Sequence, residues 1–418
     1  MPGRVALFFF VLFFAFKAKA QEPVPEQIIL GEKVVDSAEA RTERKEMDLP
    51  DVWRKVFKKK QPSVHRPDTT QSPKHRDLLI SALPCVGYSL QTRFVVLGVV
   101  NGAFYTSKER KENISSVLVN LTYSQNRQIL LPLQSNIWTR GNKYNLSTDW
   151  RYWKYPSTTY GLGDDTKLSD GYHIDYSYIR SYQTLLRSIA RNIYVGLGYH
   201  LDYFWNLREL DPPANRQTDF QKYGLHRKVV ASGVALNFKY DNRKNSINPD
   251  NGYYAHVLYR TNFTFLGSDN NWESLVIDLR KYNKLPFSSK NVLAFWSYIW
   301  LTTGGNPPYT MLPSTGTDLT NNTGRGYIQG RFRSKNMLYA ETEYRFAITN
   351  NGLLGGVVFL NGESVTDNIT NKLQRVYAGW GFGVRVKMNK YSKTNIAVDY
   401  GFGAGGSRGF FINLGEVF

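Results

Sequence analysis

The chain has 418 residues with 53 Lys and Arg against 34 Asp and Glu, a net charge of +19, and a single cysteine. One cysteine, Cys85, excludes a disulfide framework and any cysteine-based zinc site, and reads as a small strand side chain. The basic excess favours an anionic partner, and for an exported chain phosphate-rich lipid rather than nucleic acid; spread along the sequence as it is, it serves equally as a solvated surface.

At the start, Arg4 precedes the apolar run Val5 to Phe16, and Ala18-Lys19-Ala20 follows. This pattern is read as a cleavable secretory signal over residues 1–20. The run is shorter than the ~20 residues a spanning helix needs, and no later segment approaches that length. Residues 21–83 are polar, charged and proline-dotted, and read as a periplasmic tether. Its one short helix is expected within Pro50 to Lys60, with Trp53, Val56 and Phe57 on one face. That helix either rests on an inner leaflet of anionic lipid or belongs to a partly disordered linker.

From Pro84 onward, alternation with period two dominates. In "GVALNFKYD", Val234, Leu236, Phe238 and Tyr240 oppose Ala235, Asn237, Lys239 and Asp241. In "MLYAETEYRF", Leu338, Ala340, Thr342, Tyr344 and Phe346 oppose Tyr339, Glu341, Glu343 and Arg345. Each strand thus has an apolar face and a face that holds charges. A soluble sandwich alternates as well, so alternation alone leaves open which face is inside.

Strand length, aromatics at strand ends such as "DWRYWKY", and a final strand ending at Phe418 favour a membrane barrel. Sixteen strands are expected, at 84–91, 94–106, 114–124, 129–139, 143–154, 172–186, 190–206, 228–242, 252–265, 271–285, 290–302, 336–348, 352–362, 374–388, 393–403 and 409–418. An even number lets an antiparallel barrel close with both ends on the periplasmic side. Short connections are expected at Ser124 to Gln128, Ser188 to Asn192 and Asn389 to Lys393, and long ones, mostly outside the cell, at 155–171, 207–227 and 303–335.

Catalytic chemistry is not expected. The six histidines have no metal-ligand spacing, there is no GxSxG or phosphate loop, and no metal or cofactor site is assigned. His173, His200 and His256 lie on polar strand faces and read as lumenal hydrogen-bonding groups. "GAGG" at Gly403 to Gly406 reads as a hairpin turn.

Several spaced motifs carry a resemblance. They are "FKYDNRKNSINPDNGYY" (Phe238 to Tyr254), "YGLGDDT" (Tyr160 to Thr166), "TGRGYIQGRF" (Thr323 to Phe332) and the final "FFINLGEVF". In this order they resemble the BamA/TamA family of outer-membrane barrels, also called the bacterial surface antigen family, over about 84–418. The resemblance implies an all-β, transmembrane antiparallel β-barrel of about 16 strands in the bacterial outer membrane, its long sixth extracellular loop folded into the lumen. Arg325, Gly326 and Tyr327 match the loop motif, and the arginine is expected to lock onto a lumenal carboxylate.

The family's aspartate position holds Asn361 here, so the partner is expected among Glu341, Glu343, Glu363 and Asp399; the alternative is an Arg325 lying in solvent. Phe410, Ile412, Leu414 and Phe418 read as a C-terminal assembly signal. Family insertases carry POTRA modules ahead of the barrel, whereas residues 21–83 are too few and too polar for one such core. The implied function is assistance to protein insertion or translocation by strand addition at a weak seam. Lipid, unfolded outer-membrane clients and a separate periplasmic protein would be the partners. A pore or transporter for small solutes or lipids is the competing reading.

Overall fold

The structure is a computed structural model that describes residues 46–56, 78–89, 91–107, 112–285, 290–367, 371–390 and 393–418, with β1 side chains described only at 86–88. The expected signal, most of the tether and Phe57 to Lys60 lie outside the described residues. Residues 47–418 form one compact unit.

That unit opens on helix α1 (Leu49–Val56). Asp48 caps it by accepting from Asp51 N at 3.1 Å. Met47 N donates to Asn351 O at 3.0 Å and Lys390 Nζ to Asp51 Oδ2 at 2.7 Å, so the helix is held at a barrel rim. Leu49, Trp53 and Val56, at i, i+4 and i+7, are exposed.

Among the described residues, seventeen strands form a single sheet. They are β1 (Leu78–Ser89), β2 (Arg93–Phe104), β3 (Ser115–Ser124), β4 (Ile129–Trp138), β5 (Tyr144–Lys154), β6 (Ser157–Thr159), β7 (Tyr172–Ala190), β8 (Ile193–Glu209), β9 (Lys228–Asp241), β10 (Gly252–Asn262), β11 (Trp272–Lys284), β12 (Val292–Gly305), β13 (Asn336–Ala347), β14 (Leu354–Val365), β15 (Tyr377–Asn389), β16 (Thr394–Gly403) and β17 (Arg408–Leu414). β6 is a three-residue spur paired to β7; the other sixteen form antiparallel ladders with their sequence neighbours and curl into a nearly closed barrel.

The register decides which face is inside. Phe94, Val96, Leu121, Trp150, Leu197, Leu236, Leu360, Trp380 and Phe382 are exposed, whereas Arg151, Asp202, Arg260, Asp278, Glu341, Glu343, Arg385 and Asp399 are buried. Apolar groups face outward and charges inward, the distribution of a barrel whose exterior meets lipid. Long connections, at 155–171, 210–227 and 306–335, share one rim, and α1 lies at the other.

Three expectations need correction. β1 begins at Leu78, so the barrel includes residues assigned to the tether; Pro84 is tolerated inside it because, among the described residues, β1 has a ladder on one side only. β17 ends at Leu414, where Gly415 (φ +95°) turns Glu416, Val417 and Phe418 inward. Phe410, Ile412 and Leu414 are therefore outward and exposed, while Phe418 is buried and stacks on Trp296 with 5.2 Å between ring centroids. Connections that alternate in length would put every short one at the far rim, whereas the short one after Ser124 lies on the long-connection rim.

Candidate functional site

The site is built on the inward faces of β13 to β16. Alternation along β13 points Tyr339, Glu341, Glu343 and Arg345 the same way, and the ladders set Asn361 beside Glu341, Phe359 beside Glu343 and Asp399 beside Gly383. Onto this wall comes the segment Gly324–Arg325–Gly326–Tyr327 from the 306–335 connection. Arg325 is 2% exposed and donates through Nη1 to Asp399 Oδ2 at 2.7 Å and through Nη2 to both Glu341 and Glu343. Its guanidinium also lies 3.8 Å from the centroid of the Phe359 ring. Burial acts to lower its pKa, but the three carboxylates prevail and hold it well above the ordinary arginine value.

Asn361, standing where the family pattern has aspartate, plays a different part. Its Nδ2 donates to the Arg325 carbonyl at 2.9 Å, fixing the backbone rather than the charge. Glu363 also leaves Arg325 alone and accepts from Thr315 Oγ1 at 2.8 Å. Of the four carboxylates expected as partners, Glu341, Glu343 and Asp399 converge on Arg325 and Glu363 does not. The expectation of an Arg325 in solvent is overturned.

The segment can approach because the wall beneath it is bare. Gly379, Gly381, Gly383, Gly401 and Gly403 all point inward on β15 and β16. A Cβ at Gly401 would come 2.7 Å from Gly326 N, and one at Gly403 2.6 Å from the Tyr327 ring. Gly326 itself has φ +105°, and a Cβ there would meet Phe402 O at 2.6 Å. Tyr327 OH donates to Ala378 O at 2.6 Å and accepts from Ala404 N at 2.8 Å, while Ser407 Oγ donates to Gly326 O at 2.7 Å.

Gly379, Gly381 and Gly383 are not singled out from sequence, and Gly403 is read there only as the start of a hairpin turn. The signal was there: in "GWGFG" (Gly379 to Gly383) and "YGFG" (Tyr400 to Gly403) glycine recurs at period two, opposite outward Trp380, Phe382 and Phe402.

The charge network continues below. Arg385 donates to Asp399 Oδ1 at 2.5 Å and to Glu416 Oε2 at 2.7 Å, and Arg345 to Glu343 Oε2 at 2.7 Å and to the Phe418 carbonyl at 2.9 Å. The "FKYDNRKNSINPDNGYY" connection closes it from beneath: Ile247 O accepts from Glu416 N at 3.1 Å and Pro249 O from Arg345 Nη1 at 3.4 Å. "YGLGDDT" meets the same 306–335 segment at the other end, where Arg331 donates to Thr166 Oγ1 at 2.8 Å and Gly163 N to Arg333 O at 2.8 Å.

Elsewhere on the wall, Arg260 donates to Asp202 at 2.6 Å and Arg280 to Asp278 at 2.7 Å. Of the histidines, His200 stacks on Tyr182 and His256 meets Asn237 at 3.0 Å, both inside; His173 instead sits exposed at the rim against Asp211, because alternation turns Tyr172 inward. Among the described residues no group of three or more His, Cys, Asp or Glu is arranged to hold a metal ion.

No protein-family model matches the sequence, and no curated protein matches it. By structure the chain is similar to BamA from Haemophilus ducreyi lacking POTRA domains 1–3, with TM-score 0.53 and 16% identity over 82% of this chain and 70% of that one. It is also similar to CdiB from Acinetobacter baumannii (TM-score 0.52, 14% identity) and from Escherichia coli (0.54, 10%), covering 82% of this chain in each case. The fold is that of the BamA and CdiB barrels. The chain spans 60% and 63% of the two CdiB chains.

The first and last barrel strands meet at a seam. β1 and β17 lie side by side, and Tyr88 meets Phe410 edge-on at 6.3 Å, yet no ladder joins the two strands among the described residues.

Proposed function

We propose that this protein is an outer-membrane barrel that assists insertion or translocation of other proteins by strand addition at the β1–β17 seam, without making or breaking a covalent bond. The observation that carries this reading is the missing ladder. Backbone N–H and C=O groups on facing edges inside hydrocarbon each cost several kcal/mol when unpaired, so these edges have a strong drive to accept an incoming strand. On the adjoining wall, β13 to β16, Arg325 and its glycine seat hold residues 306–335 as a plug, which keeps the lumen closed while the seam works.

The outward, adjacent rings of Tyr88 and Phe410 choose the experiment. In a Cys85→Ser background, Tyr88→Cys with Phe410→Cys forms a seam disulfide under oxidant. The locked protein is expected to lose client assembly and to recover it on reduction; full activity in the locked state would refute strand addition at this seam. The transporter reading is separated by bilayer conductance, which deletion of 306–335 raises in either case. It is favoured only where seam locking leaves cellular function intact while solute flux through the purified barrel is specific and saturable.

A further inference from the structure

Beneath the long-connection rim, between the β5–β7–β8 wall and residues 309–333, lies a cavity of about 70 Å³. We propose that it binds a phosphate-type oxyanion, free or as the monoester of a sugar or lipid headgroup from the outer surface. Its lining includes two arginines, Arg180 and Arg333, and no aspartate or glutamate. Arg333 is 8% exposed, and among the described residues its guanidinium has no carboxylate within 4 Å; it donates only to the carbonyls of Tyr309 at 3.0 Å and Leu312 at 3.4 Å. A buried cation without a counter-charge is costly, and this one stands apart from Arg325, which has three.

Unused hydrogen-bonding capacity points the same way. Four lining residues have buried polar atoms without a hydrogen-bond partner: Trp153 Nε1, Arg180 Nη1, Thr310 Oγ1 and Arg333 Nε. Three of these can only donate, and the hydroxyl can do so. Arg180 stands 3.5 Å from two carboxylates, Asp149 through Nη1 and Asp202 through Nε, so its charge is answered; that of Arg333 is not. Four unused donors beside a guanidinium with no carboxylate call for an acceptor-rich anion, and arginine's fork suits tetrahedral oxyanions.

A cavity of this volume, where one water needs about 10–15 Å³, admits several oxygen atoms together. The rings of Tyr155, Tyr176, Tyr178, Phe204 and Tyr309 form much of the remaining wall and suit a cyclic ester group.

Occupancy would join Arg333 on the loop to Arg180 on β7 and so staple the loop to the wall. The ligand then stabilises the folded barrel by mass action. The test is isothermal titration of the full-length, detergent-solubilised protein with inorganic phosphate, glucose 6-phosphate and, as the uncharged control, glucose. Saturable binding of either phosphate but not of glucose is expected, with Arg333→Gln weakening it by about tenfold or more. Equal affinity for both phosphates identifies a free oxyanion, and tighter binding of the sugar ester identifies a headgroup or glycan.

Thr310→Val removes one unpartnered hydroxyl with little risk to folding and is expected to weaken binding several-fold. It keeps the inference testable if Arg333→Gln does not fold. Absence of saturable binding, binding of glucose as tight as that of its phosphate, or affinity unchanged in the variants overturns the assignment. None of these outcomes depends on strand addition at the seam.

Discussion

Two walls of the same barrel are built on opposite terms. Across β13 to β16 the inward face carries Glu341, Glu343, Arg345, Arg385 and Asp399 around Arg325, with five glycines as its floor. On β2 the inward positions include Val95, Leu97 and Val99 and the outward ones Phe94, Val96 and Val100, and among the described residues the far edge of β1 has no ladder. The first wall is held by groups that find partners only in one geometry. The second, along β2, presents apolar groups to both faces, and apolar contact is non-directional. The proposed strand addition places opening at the permissive wall.

The largest expected effect comes from breaking the charged wall. Arg325→Ala strands Glu341, Glu343 and Asp399 in a buried site and is expected to destabilise the barrel by about 3–5 kcal/mol, read as a fall in thermal midpoint in detergent and as new protease cleavage within 306–335. An unchanged midpoint would mean that the contact does not hold the segment.

The same substitution on the two walls sharpens the contrast. Gly401→Ala drives a Cβ toward Gly326 N and is expected to cost about 1–3 kcal/mol, whereas Gly98→Ala on β2 meets nothing within 4 Å and is expected to stay within about 0.5 kcal/mol of the parent. Equal shifts at both positions would remove the distinction between the walls.

Asn361→Asp restores the family's residue type but loses the donor to the Arg325 carbonyl, so a loss of about 1–2 kcal/mol is expected by denaturant titration. A stabilised variant would show that the charge outweighs the backbone contact. Smallest is Tyr88→Ala at the seam: losing the ring contact with Phe410 is expected to lower stability by only about 0.5–1.5 kcal/mol, while raising the rate at which cysteines at outward seam positions react with a lipid-soluble maleimide. A labelling rate that does not change would place the seam's closure elsewhere.

Much of the wall was legible because a half-buried strand must alternate. The boundaries of β3, β4, β9 and β13 fall within one residue of those read from the pattern. The first and last strands were misplaced for related reasons. Leu78 to Leu83 lacks clean alternation because the β1–β2 hairpin is apolar on both faces, and Gly415 interrupts a pattern that otherwise reads through to Phe418. Arg325 was legible as a residue needing a carboxylate. That three carboxylates share it, that Glu363 does not, and that Asn361 holds its backbone were not legible, because these partners come from three strands brought together by register alone.

Composition and period by themselves determined strands, their number and the pairing of polar with polar along each face, since these depend only on neighbours two residues apart. Which face is inside was decided by closure, which places β13 and β16 around one small volume and makes charges there mutually dependent. The same closure leaves β1 and β17 adjacent with no ladder among the described residues, a fact about strands more than 300 residues apart that no local pattern records.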